Sequence, residues 1–192
     1  MESVAQALRI LTRALERLQI PYLIGGSVAS SALGVLRATM DVDLLVRLPS
    51  AAVGQLVETL GSDWYADPDA MRDALKRDRP FNVIHKPTGE KMDFFPSVSE
   101  FHEEELKRAS VKELKLGEEV LRLPVASVED MILAKLQWYR AGGEVSERQW
   151  SDVQNLLTLN RTIDRQYLAV WSQRLGVQDL LSQATAQLES QL

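Results

Sequence analysis

The sequence predicts an α/β (α+β) domain: a small mixed β-sheet flanked by helices, followed by a C-terminal helical bundle. Three observations predict it. Short apolar runs such as Tyr22-Leu23-Ile24 and Val42–Arg47 alternate with helix-period segments before Pro124. Turn signals such as Gly25-Gly26-Ser27 and Pro87-Thr88-Gly89 punctuate those runs. Beyond Pro124 the strand-like runs stop and helical periodicity takes over. The expected division is a mixed domain over 1–125 and a helical subdomain over 126–192.

Each element has its own warrant. Val4, Leu8, Leu11, Leu15 and Leu18 recur at steps of three and four, so 3–19 reads as an amphipathic helix, stopped by Pro21. Tyr22–Ile24 reads as a short buried strand. Ser27 is placed to cap a helix running through Leu36. Val42–Arg47 is a strand, and 50–61 a helix with Val53, Leu56, Val57 and Leu60 on one face. Asp67–Lys76 is a further helix. Phe81–His85 and Lys91–Phe95 flank the Pro87-Thr88-Gly89 turn as two strands. A charged helix covers 99–109, and Val111–Lys115 and Val120–Leu123 read as short edge strands. Ser127-Val128-Glu129-Asp130 has the form of a helix cap, opening helices near 128–141, 146–159, 164–174 and 177–190.

Bulk composition excludes several function classes. The chain has 192 residues, 45% hydrophobic and 26% charged, enough to bury a core without covalent staples. It has no cysteine and two histidines, His85 and His102, which excludes disulfides and thiolate chemistry and argues against a multi-histidine metal centre. A net charge of −5 excludes a uniformly basic nucleic-acid surface. Glu2, Arg9, Arg13, Glu16 and Arg17 break any signal-peptide core. No apolar run reaches the length of about 18 residues that a membrane span needs. The expectation is a cytoplasmic protein with no membrane partner.

Asp41 and Asp43 stand inside an apolar strand. Residues two apart on a strand share a face, so the two carboxylates point one way and Val42, Leu44 and Val46 the other. Like charges this close repel, and a divalent cation removes the conflict. Magnesium favours a few carboxylates combined with phosphate oxygens of the substrate. An isolated Asp-x-Asp is equally a solvated strand start, and an isolated Gly-Gly-Ser equally a plain turn. Together they are more specific. Gly25, Gly26 and Ser27 supply backbone N–H groups and a hydroxyl for anionic oxygens, a short helix before a pair of acids. Asp93, in Glu90-Lys91-Met92-Asp93-Phe94-Phe95-Pro96, is a candidate third acid if its strand lies beside the pair. Three carboxylates can hold two magnesium ions about 3.5–4 Å apart, the arrangement used for in-line displacement at phosphorus. Asp93 is then a metal ligand or the base for an attacking hydroxyl. As a plain hairpin-edge aspartate it needs no such role, and its position alone does not choose between the two.

Gly25-Gly26-Ser27 followed by Arg37-Ala38-Thr39-Met40-Asp41-Val42-Asp43-Leu44-Leu45 resembles the motif of the DNA polymerase beta-like nucleotidyltransferase superfamily, nearest its AbiEii/MenT toxin branch. The resemblance implies the minimal nucleotidyltransferase fold. It implies transfer of a nucleoside monophosphate from a nucleoside triphosphate to a hydroxyl acceptor, with release of pyrophosphate. Ser27 would touch the triphosphate and Asp41 and Asp43 would bind magnesium, with Asp93 matching the superfamily's third acid. The acceptor would be an RNA or tRNA end or a protein, and a toxin would have an antitoxin partner. An antibiotic-type small-molecule acceptor, or a non-catalytic binding protein on the same fold, stands as the alternative.

Two residues beyond Pro124 join this list. Lys135 falls within an apolar stripe of Val128, Met131, Ile132, Leu136 and Tyr139, where a lysine needs an anion or a path to water. The resemblance implies that it faces the triphosphate. Asp152 resembles a later acidic motif of the toxin branch, or pairs with Arg148 four residues before it. Arg72, Lys76, Arg77 and Arg79 form a basic cluster diluted by Asp73 and Asp78, read as a solvated surface. Trp138, Trp150 and Trp171 are expected in the core, His102 on an exposed helical face and His85 at a strand end.

Overall fold

The computed structural model describes residues 2–32, 42–160 and 162–189. Helix α1 (Glu2–Arg17) leads into strand β1 (Tyr22–Ile24), α2 (Gly26–Ala32) and β2 (Val42–Val46). A single 3-10 turn at Ser50–Ala52 precedes α3 (Val53–Leu60). Then come β3 (Trp64–Tyr65), α4 (Pro68–Lys76), β4 (Phe81–His85), β5 (Glu90–Pro96) and α5 (Glu100–Arg108). The hairpin of β6 (Ser110–Leu116) and β7 (Glu119–Val125) is followed by α6 (Val128–Ala141), α7 (Glu147–Leu159), α8 (Arg165–Arg174) and α9 (Gln178–Glu189). The described residues up to Ala126 form one compact unit, and those from Ser127 onward form another.

The first unit is built on a mixed seven-stranded sheet in the order β3-β4-β5-β2-β1-β7-β6. β2 runs antiparallel to β1 and parallel to β5, and β1 runs parallel to β7. One face carries Val42, Leu44, Met92 and Phe94, all fully buried. Helix α1 lies on this side: Ser3 Oγ donates to Glu90 Oε1 at 2.5 Å, and Glu90 alternates with Met92 and Phe94. Val4, Leu8, Leu11 and Leu15 are the buried stripe of α1. Each such side chain contributes roughly 1.5–3 kcal/mol when removed from water. α1 ends with Gln19 in the left-handed region (φ 54°) while Ile20 N–H donates to Leu15 O at 2.9 Å, after which Pro21 prevents continuation.

Several expectations change. Ser27 is not the cap of α2. The helix starts at Gly26, two residues before the start a Ser27 cap would give, because Ala29 N–H already donates to Gly25 O at 3.2 Å, so Ser27 lies in the first turn. The expected extension of that helix to Leu36 falls outside the described residues from 33 on. β7 is not an edge strand, since Val125 pairs with Ile24 of β1, and both strands of that hairpin run seven residues. β3, absent from the sequence reading, forms the opposite edge through Trp64 opposite His85.

In the second unit, Ser127 caps α6 by accepting from Asp130 N–H at 3.1 Å. Asp130 is fully buried, and its carboxylate accepts from Ser127 Oγ at 2.7 Å and from Tyr167 Oη at 2.6 Å. Glu129 Oε1 accepts from Asp164 N–H at 2.9 Å, tying α6 to the start of α8. Trp171 is buried as expected, but Trp138 is 53% exposed because it lies off the Ile132–Leu136 stripe. Trp150 is half-buried and donates from Nε1 to Gln187 Oε1 at 3.0 Å.

Candidate active site

Sheet register assembles the site in the first unit. Leu44 pairs with Ile24 across β1–β2, and the next step along that ladder sets Gly25 beside Asp43. Gly25 N–H donates to Asp43 O at 2.9 Å, which fixes the step. On the other side of β2, Asp43 pairs directly with Asp93 of β5. Asp93 in turn pairs with Asn82 of β4. Gly25, Asp43, Asp93 and Asn82 therefore form one row across four strands. Paired residues on neighbouring strands point to the same side. The two carboxylates thus leave the sheet on the face opposite Leu44 and Phe94, which keeps them out of the core under α1.

The glycine turn lies against this row. Gly26 has φ +58°, a conformation that L side chains rarely adopt. A Cβ on it would run into the Asp43 carboxylate, 2.7 Å from Cγ. Gly26 is thus required twice, for its backbone turn and for the close approach to the acid. Ser27 is half-buried in the same turn, and Ser30 Oγ ties the turn down by donating to Gly26 O at 2.9 Å.

Asp43 is half-buried, and the Asp93 side chain is 21% exposed. Lys91, two residues earlier on the same face, places Nζ 2.9 Å from Asp93 Oδ2. The sequence reading passed over both Lys91 and Asn82. Their signal was only their spacing from Asp93, which says nothing until the strands are paired. The predicted first acid, Asp41, lies outside the described residues. Among the described residues no group of three or more His, Asp or Glu side chains is poised for a metal. The described residues contribute two carboxylates, Asp43 and Asp93. An all-oxygen pair, beside which a cationic ammonium is already held, fits magnesium in donor type and in the sign of its field.

Lys135 and Asp152 meet each other inside the second unit. Lys135 Nζ lies 2.9 Å from Asp152 Oδ2, with the side chains 14% and 4% exposed. The anion that a lysine in an apolar stripe requires is therefore supplied from α7. His85 is buried at the end of β4, its Nδ1 2.8 Å from Thr88 Oγ1. His102 is not fully solvated as expected. It is half-buried, and its Nδ1 accepts from Val98 N–H at 3.2 Å. Arg72, Lys76, Arg77 and Arg79 are exposed, with Arg72 paired to Asp69 and Arg77 to Asp73. A cleft of about 730 Å³ opens at the far end of β2 and β5, lined by Val46, Leu48, Pro96, Arg72 and Lys76, and contains none of the predicted site residues. Among the described residues no helix is long and apolar enough to cross a membrane.

No family model matches the chain, and no curated protein matches it. Solved structures do. The crystal structure of an antigenic nucleotidyltransferase-like protein from Paracoccidioides brasiliensis superposes with a TM-score of 0.52 at 17% identity, over 96% of this chain and 92% of that one. The solution structure of the antibiotic-resistance factor ANT(2'')-Ia gives 0.46 at 16% identity, over 96% and 94%. The lincomycin-bound crystal structure of the lincosamide antibiotic adenylyltransferase LnuA gives 0.45 at 15% identity, over 81% and 97%. The latter two likenesses are too loose to carry an argument. The first shows that the mixed α/β fold of this chain is shared with a nucleotidyltransferase-like protein.

Proposed function

We propose that the chain is a magnesium-dependent nucleotidyltransferase, which moves a nucleoside monophosphate from a nucleoside triphosphate to a hydroxyl acceptor and releases pyrophosphate. The observation that carries this reading is the direct pairing of Asp43 with Asp93, with the Gly25-Gly26-Ser27 turn packed against Asp43. Asp43 and Asp93, with Asp41 beside them in sequence, would hold the metal. When bound, magnesium supplies charge neutralisation at the triphosphate and acidifies the attacking hydroxyl.

The chain's own groups do the rest. Backbone N–H groups of Gly26 and Ser27 and the Ser27 hydroxyl bind phosphate oxygens and orient the α-phosphorus, while the Gly25 N–H stays in the sheet. The acceptor oxygen bonds to that phosphorus as the bond to the β-phosphate oxygen breaks, and pyrophosphate leaves. An Asp93 carboxylate oxygen accepts the hydroxyl proton.

The motif resemblance to the AbiEii/MenT branch favours a macromolecular hydroxyl, on RNA (including tRNA) or on a protein, and a toxin role with an antitoxin partner. Incubation of the protein with each labelled triphosphate, magnesium and separated cellular RNA, protein and metabolite pools tests the reading. Label entering RNA or protein supports it. Label entering metabolites alone assigns a small-molecule transferase instead. Label entering no pool, under conditions where the protein stays folded, contradicts nucleotidyl transfer.

A further inference from the structure

Lys91 is a charged group at the candidate site, among the described residues, to which the mechanism above gives no part. It precedes Asp93 by two residues on β5, shares its face of the sheet and holds Nζ 2.9 Å from Oδ2. Its side chain is 40% exposed, so its ammonium can swing into water with little desolvation or packing loss. Asp93 pairs in register with Asp43, and two adjacent carboxylates repel unless a positive charge stands between or beside them.

We propose, on the reading that Asp43 and Asp93 bind a divalent cation, that Lys91 is a tethered counter-ion of that site. Its ammonium neutralises Asp93 while no metal is bound and gives the carboxylate up when the metal arrives. Lys91 therefore sets the metal affinity. A cation entering alone must displace the ammonium and bind beside its charge. A cation entering with a triphosphate brings negative charge of its own, which offsets that of the displaced lysine. The expected consequence is weak binding of free metal and much tighter binding of metal with nucleotide.

The test uses Mn²⁺ alone as probe, with no nucleotide, and reads free Mn²⁺ by electron paramagnetic resonance against the whole chain. Lys91→Met removes the charge and keeps most of the stem. Lys91→Gln serves the same purpose if the Met variant fails to fold, and Lys91→Arg keeps the charge. The neutral variants are expected to bind Mn²⁺ roughly three- to tenfold more tightly than the unaltered protein, and the Arg variant within about twofold of it. In an Asp93→Asn background, neutralising Lys91 is expected to change affinity by less than about twofold. If the unaltered protein binds Mn²⁺ and the neutral variants bind it no more tightly, the role of Lys91 is overturned while the metal reading stands. If neither the unaltered protein nor the neutral variants bind Mn²⁺, both are overturned.

Discussion

Asp43 of β2 stands directly opposite Asp93 of β5, in the same parallel register that pairs Leu44 with Phe94. A structural aspartate would gain nothing from such a neighbour, because the two charges raise each other's energy. Replacing Asp43 by Asn therefore separates function from folding. The Asn variant is expected to lose at least about 100-fold in nucleotidyl transfer. Its unfolding free energy without metal is expected to stay within about 1 kcal/mol of the unaltered protein's, or to rise. Transfer rate and urea unfolding on the same preparation check both halves.

Gly26 tests the packing of the turn. Its φ of +58° and the Asp43 carboxylate in the space of its absent Cβ make Gly26→Ala strained in two ways. A loss of about 2 kcal/mol or more is expected. Gly25→Ala is the control: its nearest neighbour to an added Cβ is Asp43 O at 3.9 Å, ordinary contact distance. That variant is expected to fall within about 1 kcal/mol of the unaltered protein. Equal losses in the two variants, measured by denaturant titration, would remove the argument from the glycine's close approach.

The Lys135–Asp152 pair makes a stability prediction. Both groups are largely buried and 2.9 Å apart, so removing one takes a close opposite charge away from the other. Lys135→Met alone, or Asp152→Leu alone, is expected to destabilise by about 3 kcal/mol. The double variant is expected to recover most of that loss, since neither of these two buried charges then remains. A double-mutant cycle by chemical denaturation measures the coupling.

His102 gives a pH signature. Burial pushes its pKa below the ordinary value, against a smaller upward pull from Glu103. Its Nδ1 accepts the Val98 N–H, which protonation would forbid. The fold thus favours the neutral ring, and its stability contribution is fully present above the unfolded value of about 6.5. As pH falls the unfolded chain takes up the proton first, and the contribution is lost as pH drops through the lower folded value. Unfolding free energy is expected to decline as pH falls below about 6.5, and His102→Asn, which keeps an acceptor, to flatten that decline. Glu103 is held low chiefly by its hydrogen bond from Arg47, so its own contribution is present above the ordinary carboxylate value and is lost as pH falls from there toward its lower folded value.

Much of this architecture was legible in the sequence because it rests on local rules. Tyr22–Ile24 is bounded by Pro21 and two glycines, and Ser127 caps α6 where the pattern of polar and apolar residues changes. What was not legible is non-local. That Asp93 meets Asp43 depends on a parallel pairing between strands nearly fifty residues apart, which periodicity cannot register. The internal place of β7 depends on Val125 reaching Ile24 by the same kind of pairing. β3 has two residues, too few for an alternation to be seen. Asn82 and Lys91 joined the site only through register with Asp93. Asp41 and Asp43 stand out in the sequence because carboxylates in an apolar run are costly and call for a reason.

Calorimetric titration of triphosphate, with and without magnesium, into the unaltered protein and into the Asp43→Asn, Asp93→Asn double variant tests the central claim most directly. The account predicts triphosphate binding that requires both magnesium and the two carboxylates. Binding that is equal with and without magnesium, or equal in the two proteins, would contradict it.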